Sequence, residues 1–435
     1  MENQFTKDVN KTENKGNFLA LIPICVFLVV YFGINVFSES FNILSVVVAF
    51  LIAVLVACLQ NRKVSFDDKL SIMAEGLADK NITTMILIFL TAGVFAGILG
   101  RDSAGAVANL LLKFIPARFS VVVIFIVACF VSTAMGTSCG TIVFLSPIAV
   151  SVSSATGISL PLFIGTVIGG AMFGDNLSFI SDTTIAATST QNCNMRDKFK
   201  ENFFIALPAA LVTIAILFII ALTQKNVADY TPDKINLWLI IPYVLVLIGG
   251  ILGVNVFIVL IGGILSAFIV KVCLGTGVFE IFTSMGAGAN DMFEVIIVTV
   301  LVSILSALMR KDGGFDAILY GIRKIFKGKA GGSLGVATLV SLMDIATANN
   351  TVAIVMAGPI AKNISEEYGI TNTKTASILD IFGSVIQGIL PYGAQMLAAI
   401  EASGLTAFNI IPFIFYPYLL AISAIVAMFI PSKKK

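Results

Sequence analysis

The chain contains no histidine and one tryptophan, and only 12% of its 435 residues are charged. Each shortage excludes something. Without histidine, the commonest zinc ligand and the commonest general base near neutral pH are missing, which removes zinc proteases and histidine-dependent hydrolases. The six cysteines, Cys25, Cys58, Cys129, Cys139, Cys193 and Cys273, show no CxxC spacing and mostly sit in apolar runs, so they read as small packing residues. No GxxxxGK[ST] loop is present to cradle phosphates, so any transport must be driven by a gradient. There is no basic tract with interleaved aromatics, and a net charge of +2 leaves no footprint for DNA or RNA. No cofactor is implied, and the chain is not expected to be an enzyme.

What the chain has in quantity is apolar sequence. Hydrophobic residues make up 58% of it and the mean hydropathy is +1.00. The apolar runs repeatedly reach about 17 to 25 residues, the length that crosses a bilayer as helix. The expectation is an all-α polytopic membrane protein with about 11 to 13 membrane segments.

Residues 1–17 mix acids with lysines, unlike a signal peptide, and read as a cytoplasmic tail. Spans are expected at 18–36, 41–59 and 82–100, with a short amphipathic piece at 70–80. Residues 101–119 are too short and too charged for a confident crossing. From 119 the apolar run is interrupted by Gly136, Thr137, Ser138, Cys139 and Gly140, with arms on either side that are short for full spans. That is the pattern of a re-entrant hairpin or broken helix, whose bare backbone ends are tolerated only where they line a cavity.

The stretch at 174–191, GDNLSFISDTTIAATSTQ, places acids, amides and hydroxyls inside an otherwise apolar region. If it is helical, Asp175, Ser178 and Asp182 fall at i, i+3 and i+7 and form one polar stripe. Each Asp near the bilayer centre costs roughly 2.5 to 3.5 kcal/mol, so such a stripe must face protein or a watery cavity and handle a cation, proton or substrate. A surface loop is the plainer alternative.

The second half repeats the first at an offset near 212. Pro147 meets Pro359, Gly157 meets Gly369, Phe179 meets Pro391, and Asn35, Val36 and Phe37 resemble Asn255, Val256 and Phe257. With the N-terminus placed inside, nineteen of the 27 lysines and arginines collect in the cytoplasmic segments against six outside, which orients the chain and inverts one half relative to the other. The expected organisation is a cytoplasmic tail at 1–17, an inverted repeat at 18–223, an external linker at 224–236, a second repeat at 237–430 and a basic cytoplasmic tail at 431–435. Inverted repeats with paired broken helices belong to secondary transporters, with sites between the breaks near the midplane.

GDNLSFISDTT, at 174–184, resembles the signature of the NhaC-type antiporter family, usually GDNLSPISDTT; only Phe179 departs, standing where the family has Pro. With Phe179 and the following IAATSTQ, the chain is most similar to the amino-acid permease branch typified by the YuiF-like proteins. The wider ion-transporter group to which the family is assigned resembles elevator machines with two hairpins and two unwound helices. The resemblance implies ion or proton binding at Asp175, Asn176, Ser178, Ser181, Asp182 and Thr183.

The repeat predicts four site segments, at 133–141, 175–184, 344–351 and 387–395; the resemblance makes the first and third hairpins and the others unwound helices. Thr137, Ser138, Asn349, Asn350 and Thr351 at the hairpin tips, with Gln387 and Gln395, are candidate substrate ligands; plain helix–helix hydrogen bonding is the alternative for the tips. Free carbonyls and polar oxygens suit Na+, which points to Thr133, Thr137, Ser138 and Asp175. Asp344 and Asp380 lie in apolar stretches with no acidic partner in the first half. They are candidate proton carriers, since burial penalises the charged form of a carboxyl group, or they pair with a polar neighbour and take no part in transport. GAGAND, at 286–291, suggests a nucleotide-binding turn only superficially and reads as a flexible start of a helix.

Two functions follow. One is a permease for a small organic solute, most of all an amino acid, coupled to H+ or Na+ in the bacterial inner membrane. The other is a Na+/H+ antiporter, and exchange of two organic acids is a related third. An elevator mechanism would favour a homodimer. A channel has no need of a duplicated pair of broken helices, and an enzyme would need a nucleophile and base that this sequence does not supply.

Overall fold

Long apolar runs rich in Leu, Ile, Val, Phe and Ala satisfy their backbone hydrogen bonds internally only as helices. The computed structural model describes residues 15–37, 45–179, 181–224, 235–252 and 254–429, and among these no strand occurs. The expected tails lie almost wholly outside the described residues, as do most of the linker at 224–236 and the start of the second span.

The first half comprises α1 (Ile22–Phe37), α2 (Val46–Leu59), α3 (Phe66–Leu77), α4 (Lys80–Phe114), α5 (Ser120–Met135), α6 (Ser138–Thr156), α7 (Leu160–Leu177), α8 (Asp182–Gln191) and α9 (Met195–Thr223). The second half comprises α10 (Ile241–Ile251), α11 (Val256–Cys273), α12 (Val278–Asp291), α13 (Phe293–Lys311), α14 (Gly314–Ile325), α15 (Gly328–Thr347), α16 (Asn350–Tyr368), α17 (Asn372–Ile389), α18 (Ala394–Ser403), α19 (Ala407–Ile410) and α20 (Phe415–Phe429). Among the described residues nine helices are long and apolar enough to cross a membrane. They include both arms flanking Gly136, Ala117–Met135 and Ser138–Thr156, which at 19 residues each are long enough for full spans and not short, as the sequence had led us to expect. Ala407–Phe413 and Phe415–Phe429 form a further pair bent by 52°, and Phe18–Tyr31, Val46–Leu59 and Leu237–Gly250 are shorter apolar helices. This is a multi-pass membrane protein.

The repeat holds residue for residue where it matters. Shifted by 212, α6 lies over α16, α7 over α17 and α8 over α18, end to end. The caps agree as well. Gly136 and Ala348 are both left-handed, at φ 67° and 46°, and Gly157 and Gly369 close the second hairpin arms at φ 71° and 66°.

The region after Gly100, too charged to read as a crossing, continues helically behind a kink. α4 runs on to Phe114, but Gly100 sits at φ 62°, ψ −172°, a conformation essentially reserved for glycine. Gly100→Ala should therefore cost about 1–3 kcal/mol, read as a lower thermal midpoint in detergent. An unchanged midpoint would mean that the kink is not under backbone constraint.

The two breaks have different causes. In the second, Pro391 lacks an N–H and pushes Leu390 out of the helical region to ψ 117°, ending α17. The first has no proline. α7 stops at Leu177, Ser178 turns to ψ 140°, and α8 restarts at Asp182. The continuous stripe of Asp175, Ser178 and Asp182 consequently does not form, because the three residues are divided between two helices and the link between them. Phe179 is exposed there and stacks on Phe199 of α9, with centroids 4.5 Å apart.

Candidate functional site

Each hairpin turns on one left-handed residue, followed by a residue at φ near −150° that caps the second arm. Thr137 accepts from the Gly140 N–H and Asn349 from the Val352 N–H, as N-caps do. This geometry delivers the next residues, Ser138 and Asn350, to the same place. Ser138 Oγ donates to Asp175 Oδ2 at 3.0 Å, and Asn350 Nδ2 reaches that oxygen at 3.5 Å. The tips of two hairpins about 200 residues apart thus meet on one buried carboxylate.

The other carboxylate oxygen, Oδ1, accepts from Ser181 Oγ at 2.5 Å, and Ser181 shares a 2.8 Å hydrogen bond with Thr183. Gln387, the repeat equivalent of Asp175, lies opposite. Its amide donates to Gln395 Oε1 at 2.6 Å and to the Ala348 carbonyl at 3.1 Å, while Gln395 Nε2 donates to Ser138 Oγ at 3.0 Å. The ring closes around a cavity of about 80 Å³, lined also by Thr137, Asp182, Asn349, Thr351 and, from α4, Thr84 and Met85. Among the described residues no lysine or arginine lines it, so its two carboxylates, Asp175 and Asp182, favour a cation.

Not every expected residue faces this cavity. Thr133 Oγ1 is spent on the Cys129 carbonyl of its own helix at 2.7 Å. Ser178 is buried in the break itself. Asp344 is wholly buried behind the second tip, and neither of its oxygens has a hydrogen-bond partner among the described residues. Asn176 turns away from the cavity, and Asp380 lies on that far side, paired with Lys198.

Lys198 belongs to the charged segment at 196–201 that counts with the cytoplasmic lysines and arginines, yet it does not face solvent. Its side chain is 1% exposed. The ammonium donates to the Asn176 carbonyl at 3.0 Å, to Thr184 Oγ1 at 2.8 Å and to Asp380. Asn202 adds its amide to Asn176 Oδ1 at 2.5 Å and to Asp380 Oδ2 at 3.0 Å. The only hint in the sequence was the spacing: residues 198 and 202 stand at i and i+4, on one face of a helix.

A larger cavity of about 540 Å³ adjoins the site. It is lined by Glu75, Asp79, Arg310 and Lys311 and by Thr347 and Asn349 of the second hairpin. Asn349 lines both cavities, and its amide touches Met85 Sδ at 3.2 Å between them.

Residues 14–223 and 230–431 match the model of the Na+/H+ antiporter family. The chain is 24% identical over 396 residues to the Na+/H+ antiporter NhaC of Bacillus subtilis, covering 82% of this chain and 86% of that one. It is 22% identical over 439 residues to the malate-2H+/Na+-lactate antiporter of the same organism, covering 92% of each. The arginine/ornithine antiporter ArcD of Halobacterium salinarum is 22% identical over 392 residues, covering 82% of this chain and 81% of the relative. Among solved structures there is a loose likeness, at TM-score 0.41 and 14% identity, to the YdaH transporter of Alcanivorax borkumensis, covering 81% of this chain and 89% of that one.

Proposed function

Because the chain belongs to the Na+/H+ antiporter family, we propose that it exchanges Na+ for protons across the cell membrane, both ions competing for Asp175. One observation carries this reading: a single buried carboxylate is held by hydroxyls of Ser138 and Ser181 in a cavity of about 80 Å³. At about 30 Å³ per water, that is room for an ion with one or two waters, well short of the 300–1,000 Å³ usual for organic ligands. Asp175, Ser138, Ser181, Thr183, Asn350 and the two glutamines act as the cation shell. The hairpin tips open it alternately to either side, in an elevator movement that a dimeric scaffold would support. The excess of lysine and arginine in the segments assigned inside supports a cytoplasmic position for both termini.

Competition at one carboxylate has a measurable consequence. Where the site exchanges one proton for one Na+, the apparent KM for Na+ rises as pH falls, approaching about tenfold per unit. The assay is dissipation of an imposed pH gradient by Na+ in proteoliposomes. A KM independent of pH would sink the shared site.

A second reading, an amino-acid or organic-anion permease coupled to Na+ or H+, is favoured by the 540 Å³ cavity adjoining the site at Asn349 and by the solutes named for two relatives. Thr347 and Asn349, which line that cavity, would then meet the solute, with Thr137 and Thr351 across the tip in the smaller one. Uptake of a labelled amino-acid mixture under Na+ and pH gradients separates the two. Accumulation of a solute supports the permease; gradient dissipation with no solute moving supports the antiporter.

A further inference from the structure

We propose that the oxygens of Asn176, Thr184 and Asp380 form a second monovalent-cation site, which Lys198 fills with its own ammonium and which opens to free Na+ when that ammonium is removed. The site lies beyond the Asp175 cavity, on the other side of the first helix break. Four helices build it: α7 supplies a backbone carbonyl, α8 a hydroxyl, α17 a carboxylate, and α9 the lysine.

The donor set is what suggests an ion site. A carbonyl, a hydroxyl and a carboxylate converging on one point are ligands for a hard cation. An ammonium has three N–H groups, and here they are spent on Asn176 O, Thr184 Oγ1 and Asp380 Oδ2. An acceptor is left over. Asp380 Oδ1 is buried and has no hydrogen-bond partner among the described residues. The site therefore offers a cation one more oxygen than the lysine uses. Asn202 holds the cluster in shape by tying Asn176 to Asp380.

The plainer account is that Lys198 simply caps the free carbonyl at the end of α7. The repeat argues against that being sufficient. Lys198 and Asp380 correspond, at the same offset of 212, to Ile410 and Ile168, both buried and apolar, and among the described residues no ion pair is found at the second break. A broken helix in this fold does not require a buried lysine. The pair is an addition to one half only, placed beside the residue that follows Asp175.

Lys198→Met tests this, since methionine keeps most of the stem and leaves the ammonium's place vacant. Isothermal titration of the purified protein should find one more Na+ bound per chain in Lys198→Met than in wild type. Lys198→Met/Asp380→Asn should return to the wild-type count. NaCl, but not choline chloride, should raise the thermal midpoint of the single variant by about 3 °C or more beyond its effect on wild type. The difference is read against wild type, so it survives even if the Asp175 site binds no Na+ and the exchange reading fails. Should Lys198→Met fold only when purified in Na+, the proposal stands. Equal Na+ counts in the single variant and wild type overturn it, as does a single variant unrecoverable in any salt while the double variant folds, because the lysine is then only a structural counter-charge.

Discussion

Asp175→Asn should abolish Na+-driven proton movement in proteoliposomes while leaving the protein folded. The amide is nearly isosteric and can still accept from Ser181 and meet Ser138, so the thermal midpoint should stay close to that of wild type. What disappears is the charge. Removing one partner of a buried ion pair costs about 3–5 kcal/mol, and each 1.4 kcal/mol is tenfold, so exchange should fall by about 100-fold or more. The readout is the rate at which added Na+ dissipates a pH gradient, with the variant's midpoint as the folding control. A variant that folds and exchanges at the wild-type rate would remove Asp175 from the mechanism.

Gly288→Ala should be strongly destabilising. A Cβ at Gly288 would lie 2.1 Å from the Gly93 carbonyl oxygen and within 3 Å of Gly97 Cα and N, all backbone atoms of α4 that cannot swing aside. The close approach of α12 to α4 depends on bare glycine on both helices, as membrane helix contacts often do. Overpacking of this kind costs about 1–3 kcal/mol, and more where backbones must part. Gly286, two residues earlier in the same GAGAND stretch, has nothing within 4 Å. Gly286→Ala should be neutral or slightly stabilising. Thermal unfolding in detergent compares the two, and equal effects would mean that helix propensity, not packing, sets the value of glycine there.

That stretch also shows how far the sequence could be read. The sequence reads it as a flexible helix start, yet it lies at the C-terminal end of α12, where Gly288 packs against the α4 backbone. A glycine announces that something comes close or that φ is unusual, without saying which. At Gly136 the local reading sufficed, because a short polar, glycine-bearing interruption between apolar arms has few other outcomes than a turn. Pro391 was equally legible, since proline ends a helix by its own chemistry. Phe179 was not, because the first break is held by Lys198 and Asn202 capping the Asn176 carbonyl from a helix further along the chain.

The candidate site divides in the same way. The repeat and the motif mark Asp175, Ser138, Asn350, Gln387 and Gln395, and the structure brings them around one cavity. Asp380 carries two readings, proton carrier or partner of a polar neighbour, and it is paired with Lys198, whose burial nothing in its charged segment announces.

By itself the sequence determined the helical membrane class, the duplication and the positions of the hairpins and breaks. Hydrophobic run length, proline, glycine and internal similarity act locally or repeat visibly along the chain. Only the tertiary structure decided which polar groups share a cavity, which carboxylate receives two hairpin tips and which receives a lysine. A buried charge is stable only through the partners that surround it, and those partners come from helices far apart in the chain.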